Sequence, residues 1–149
     1  MFPTSVIALF CEDIREEKSG ALTLVGVLGD NVNVPPQPEC LNTVAMLPRL
    51  CVYLRVNFDV SAELGPVTFR IIMPDGTEVP AGGVDQATLA QARETREKGN
   101  PMGGVISRFQ FGGLVMKKLG RMTVEATIGD QKYLAGFLNF TSEGAATNP

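Results

Sequence analysis

Histidine is absent from this 149-residue sequence, and that one absence removes more chemistry than any motif supplies. Without imidazole the chain lacks the usual general base at neutral pH and the commonest metal ligand. Ser-His-Asp and Cys-His catalysis are therefore excluded. Carboxylates are what remain. Glu12-Asp13 and Glu16-Glu17 form two close pairs, and a glycosidase works with two carboxylates. Sugar sites usually add aromatic platforms, however, and this chain has no Trp and only two Tyr. Hairpin charges pairing with Arg15 and Lys18 in solvent are the simpler reading.

Calcium is the other chemistry these residue types could support. Asp13, Asp30, Asp59, Asp75, Asp85 and Asp130 fall mostly where turns and strand ends are expected, as the oxygen ligands of a C2-like domain would. Aspartate is also a favoured turn former, which accounts for each position without a metal. No Asp-x-Asp pair and no EF-hand loop is present. The three cysteines, Cys11, Cys40 and Cys51, show no C-x-x-C spacing, and with no histidine beside them they do not make a zinc site. They read as reduced thiols packed in strands. Gly99 to Gly104 and Gly112-Gly113 lack the lysine and the strand-to-helix setting of a phosphate-binding loop. No catalytic, cofactor-binding or metal-binding residue is assigned, and no cofactor is expected.

The elements that carry these residues are read from periodicity. Leu50, Val52, Leu54, Val56, Phe58 and Val60 alternate with Cys51, Tyr53, Arg55, Asn57 and Asp59, the two-residue period of a half-buried strand. Val67, Phe69, Ile71 and Met73 repeat the pattern, as do Met122, Val124, Ala126 and Ile128. Three further segments are apolar on both faces: Val6 to Cys11, Leu22 to Leu28, and Tyr133 to Phe140. Such strands belong in the middle of a covered sheet. Val105 to Met116 is another strand, with a bulge or bend expected at Gly112-Gly113.

Turns punctuate these runs in the manner of an antiparallel protein. Lys18-Ser19-Gly20 closes a first hairpin, Pro74-Asp75-Gly76 makes a tight turn, and Gly129-Asp130 joins two strands. Val34 to Pro38, with three prolines, cannot be a central strand and is expected to cross between sheets. One helix is predicted from Gln86 to Lys98, with Asp85 as N-cap and Gly99 and Pro101 as the stop. Its apolar side is only Ala87, Leu89, Ala90 and Ala92, so it belongs on the rim. These elements predict an all-β fold: a two-sheet antiparallel β-sandwich, immunoglobulin-like or C2-like, with one short peripheral helix. Residues 1–141 form a single domain, and residues 142–149 read as a disordered tail.

Ala8-Leu9-Phe10-Cys11-Glu12-Asp13-Ile14-Arg15, then Leu22 to Asp30, and the later Gly120 to Asp130, together resemble a family of short bacterial proteins of unknown function. The pattern shared is F-C-x-D-I-R followed by L-x-G-V-x-G-D. The resemblance implies a bacterial or phage-related cytoplasmic setting and carries over no activity.

Composition narrows the partners. A formal charge of -3 gives no reason to expect nucleic acid or an anionic membrane. No apolar run is long enough to span a membrane, and the N-terminus lacks the features of a signal peptide, so a cytoplasmic location is expected. Apolar strand faces exceed what two facing sheets can hide. The expected function is thus a non-catalytic structural or protein-interaction module that self-associates, or meets a protein partner, through an apolar sheet face or edge. A C2-like calcium- or lipid-binding module is the alternative, and a carboxylate-based hydrolase the third.

Overall fold

A computed structural model describes residues 3–35, 45–95 and 99–142, with Ala45 defined by its backbone alone. Among these residues are nine strands: β1 (Ser5–Glu16), β2 (Leu22–Val27), β3 (Asn31–Val34), β4 (Ala45–Asp59), β5 (Val67–Ile72), β6 (Glu78–Val84), β7 (Met102–Met116), β8 (Gly120–Ile128) and β9 (Gln131–Ser142). One helix, α1 (Gln86–Thr95), stands between β6 and β7. The strands make two sheets, ordered β2-β1-β4-β7 and β3-β9-β8-β5-β6. Pairing is antiparallel except between β3 and β9, which run parallel. The predicted all-β, two-sheet architecture with one short helix is the one found.

The inner wall of the four-stranded sheet comes from the alternation on β4. Leu50, Val52, Leu54, Val56 and Phe58 are all buried. Facing them from β5 and β8 are Val67, Phe69 and Ile71, and Met122, Val124, Ala126 and Ile128. The sheets approach closely where β1 meets β9: a Cβ on Gly136 would lie 3.1 Å from the carbonyl oxygen of Ala8.

The three segments read as apolar on both faces resolve differently. β1 and β9 do lie inside their sheets, but β2 is an edge strand. Its β-branched and leucine residues are therefore half-exposed rather than covered. In β9 the explanation is a bulge. Val124 pairs with Gly136 and Glu125 with Leu134, leaving Ala135 without an opposite residue. The extra residue reverses the facing of all that follows. Tyr133 before it, and Leu138 and Phe140 after it, can then all pack on the core.

Gly112-Gly113 acts by another route. The β4–β7 register is unbroken from Leu47↔Leu114 to Leu50↔Phe111, so no residue is inserted there. Instead Gly113 takes φ +74°, a value open to glycine, and beyond it Leu114 and Met116 become the buried residues while Val115 is exposed. The feature is a bend.

The turns form as expected. Gly20 and Gly76 sit at φ +87° and +88° in the β1–β2 and β5–β6 hairpins, and Gly129 at +60° between β8 and β9. β3 and β4 belong to different sheets, so the chain crosses between them as predicted, although residues 36–44 lie outside the described set. Asp85 caps α1, its Oδ1 accepting the Thr88 N–H at 2.7 Å. The helix sits on the rim. Leu89 is its one buried side chain, and Arg93 lies over the Phe58 ring at 5.7 Å. Residues 96–98, the end of the predicted helix, and residues 143–149 of the tail lie outside the described residues.

The bulge makes a specific prediction. Leu138→Ala should cost about 2–5 kcal/mol of unfolding free energy, as a deep core truncation does, while Leu134→Ala should change it by no more than about 0.5 kcal/mol. Urea denaturation of the two variants compares them directly, and equal costs would contradict the bulge.

Candidate functional site

The residues singled out for chemistry do not converge. Asp13 pairs with Arg15 at 3.2 Å and with Arg49 at 2.8 Å. Glu16 meets Arg108 at 3.1 Å, and Glu17 accepts the Thr23 hydroxyl at 2.8 Å. Glu12 points elsewhere, against Gly26 on β2. Each acid of the proposed hydrolase thus has its own separate contact.

The aspartates are likewise occupied by local backbone. Asp75 accepts the Thr77 N–H at 2.8 Å, a bond that holds its carboxyl below the ordinary range. The Thr88 N–H does the same for Asp85. Asp59 is buried, and its Oδ1 accepts both the Ser61 N–H at 2.9 Å and the Ser61 hydroxyl at 2.5 Å. Asp30 contributes its carbonyl to the Asn139 N–H, and Asp130 lies in the β8–β9 turn. Among the described residues no three His, Cys, Asp or Glu side chains come together.

What does converge is the outer face of the four-stranded sheet. Antiparallel register sets opposite residues on one face, so the ladder can be read across in rows. One row is Ile7–Arg55–Ile106 and the next Leu9–Tyr53–Arg108. The third is Val27–Cys11–Cys51–Gln110. Ile7 is 44% exposed, Leu9 39%, Ile106 48% and Val27 56%. Four large apolar side chains thereby share a surface with Tyr53 and two arginines. The arginines are held in place: Arg55 donates to Asn57 Oδ1 at 2.8 Å, and Arg108 pairs with Glu16.

The outer face of the five-stranded sheet is of another kind. Arg70 bridges Glu125 (Nη2 to Oε2, 2.6 Å) and Glu78 (2.9 Å), which raises its already high pKa, Glu125 contributing most. The Arg121 guanidinium covers the Phe137 ring at 4.3 Å. Only Leu134 stands out as a large exposed apolar residue on this sheet, at 65%. The five-stranded face is charge-laced with one large exposed apolar residue, whereas the four-stranded face combines four of them with ion pairs of its own, Arg49–Asp13 and Arg108–Glu16.

Sequence reasoning placed Ile7 and Leu9 within Val6 to Cys11, a segment apolar on both faces, but it did not join them to Ile106, Val27 or Tyr53. The signal was present: in each strand these residues hold the position one off from the core set. Nor could sequence spacing bring Cys11 and Cys51 together. They stand directly opposite on β1 and β4, both buried and reduced. Each thiol lies 3.8 Å from a carbonyl oxygen, Cys11 from that of Cys51 and Cys51 from that of Glu12. Burial first, and the neighbouring Cys51 second, push the Cys11 thiol up to about 11. Cys40 lies outside the described residues. No described helix is long and apolar enough to cross a membrane.

Residues 6–139 match the DUF6941 family, a family of unknown function, and the chain belongs to it. No curated protein matches the chain in sequence.

The buried thiols yield a test. A thiol raised from 9.0 to about 11 stays protonated at pH 8, so Cys11 should resist iodoacetamide in the folded protein and label fully in denaturant, as peptide mass spectrometry would resolve. Linkage gives the sign of the stability effect. Above pH 9 the unfolded chain ionises first, so the contribution of Cys11 is complete below 9 and is lost as pH rises towards about 11. Rapid native labelling of Cys11 at pH 8 would contradict this.

Proposed function

We propose that this chain is a non-catalytic module that self-associates through the outer face of its four-stranded sheet. The observation that carries the reading is the gathering of Ile7, Leu9, Val27 and Ile106 on one sheet face, while the strands of the opposite sheet expose only Leu134 among large apolar side chains. Exposed apolar residues scattered singly are ordinary, but a contiguous group rimmed by polar side chains marks an interface. The rim favours a second copy. It holds Arg49 and Arg108 beside Asp13 and Glu16, so an isologous contact can set cations of one copy against acids of the other.

A calcium-binding or hydrolytic role draws less support. The acids such roles need are spread over separate turns and ion pairs, and their oxygens already accept hydrogen bonds from Ser61, Thr77 and Thr88. Two tethered arginines beside Tyr53 suit recognition, since long side chains already held in place lose little freedom on binding.

Light scattering during size-exclusion chromatography tests the reading. The wild-type chain should run as a multiple of its 16.0 kDa mass at tens of micromolar. Leu9→Lys, which places a charge at the centre of the face, should weaken that association by at least about tenfold. The variant should keep its circular-dichroism spectrum. Unchanged mass for Leu9→Lys would remove the face from consideration.

A further inference from the structure

The two sheets end on four edge strands, and three of them are blunted. β2 has six residues and β3 four, while β6 has seven, including Pro80 opposite a register slip in β5. The fourth, β7, runs for fifteen residues without a proline, and its one charged side chain, Arg108, is turned to Glu16. Long, regular, uncharged edges invite another strand, and proteins ordinarily block them. Among the described residues no proline and no register slip protects the stretch 105–111 of β7. The contacts of α1 with Phe58 and Ala62 place the helix at the Met102 end of the strand.

The direction of the free hydrogen-bonding groups follows from one bond. The Val60 N–H donates to the Pro101 carbonyl at 2.9 Å, so the polar groups of Pro101 face β4. Backbone groups alternate sides along a strand. Odd-numbered residues of β7 therefore bond to β4, and Ile106, Arg108 and Gln110 present theirs to the open edge.

We propose that two copies join β7 to β7, antiparallel across a two-fold axis, so that two four-stranded sheets become one continuous sheet. This rests on the self-association proposed above and names a second contact for it. The side chains favour a second copy over an unrelated strand. With the axis at Phe109, Arg108 stands opposite the partner's Gln110, and Ile106 opposite the partner's Gly112. No like charges meet, and the regular stretch 105–111 lies between the glycine pairs at 103–104 and 112–113. Edge and face are both isologous, so together they close a four-copy assembly with dihedral symmetry.

Proline at position 110 is the direct probe. It removes an edge-facing N–H and spares the β4 ladder, so the fold tolerates it. The full-length Gln110→Pro chain should keep its circular-dichroism spectrum and show half the wild-type mass by light scattering. Charge gives a second, gentler arm. Gln110→Arg sets cations opposite each other twice by symmetry and should weaken association about tenfold at low salt, recovering as salt screens the pair. Wild-type mass in both variants overturns the edge contact. Loss of association in Leu9→Lys with no change in Gln110→Pro leaves the face standing and the edge rejected, and the reverse pattern rejects the face alone. A wild-type chain that remains single at tens of micromolar overturns both.

Discussion

The molecule hangs on one apolar wall, the inward residues of β4. Leu50, Val52, Leu54, Val56 and Phe58 are each no more than 1% exposed, and everything else in the fold is arranged to keep water from them. Their strand is flanked on both sides within its sheet, by β1 and β7. The five-stranded sheet covers them from the front. α1 closes the end at Phe58, where Leu89 enters the core and Arg93 lies over the ring. Burial of this kind is non-directional, so its strength alone would not choose a topology. The choice comes from alternation: with every second residue apolar, a one-residue slip would turn the whole wall to solvent.

That dependence on alternation explains how much of the fold could be read without coordinates. Residues 50–60, 67–73 and 122–128 keep strict period two, and the structure makes each a strand with the expected face inward. The turns were legible because proline, aspartate and glycine each impose a backbone geometry of their own. Reading failed where facing changes along the strand. Tyr133 to Phe140 look apolar on both sides, yet Ala135 is an extra residue that reverses the count, so Leu138 and Phe140 are core while Leu134 is not. Leu22 to Leu28 look equally buried and instead form an edge, since strand order is set by contacts distant in sequence. Much of the apparent excess of apolar surface disappears once these two are placed.

The candidate site was less legible for the same reason. Its members lie on the four neighbouring strands β2, β1, β4 and β7, far apart in sequence from β1 to β4 and from β4 to β7, and only the register brings Ile7, Arg55 and Ile106 into one row. The same rows set Cys11 and Cys51 side by side. Both are buried within the third row of the face, with burial holding the Cys11 thiol protonated. A nucleophile needs the opposite surroundings, partly exposed and electropositive. The arginines nearest in the ladder, Arg49 and Arg108, are committed to Asp13 and Glu16 instead.

A surface of this sort suits association because the ladder has already fixed its shape. Binding usually spends much of its gross energy on ordering side chains and loops. Here the backbone is held from both sides along β1 and β4, and the long side chains at the rim are tied within the monomer. Little remains to be immobilised when a second copy arrives. One depression on this sheet is by contrast a poor receptor for a small ligand. This depression beneath the cysteine row, ≈ 350 Å³, is lined by Ile14, Cys51, Arg108, Phe109 and Gln110, which already serve the sheet and its rim. A small-molecule site would need convergent polar groups still free to orient a ligand. The sheet face, whose shape the ladder has already fixed, suits recognition spread over a surface.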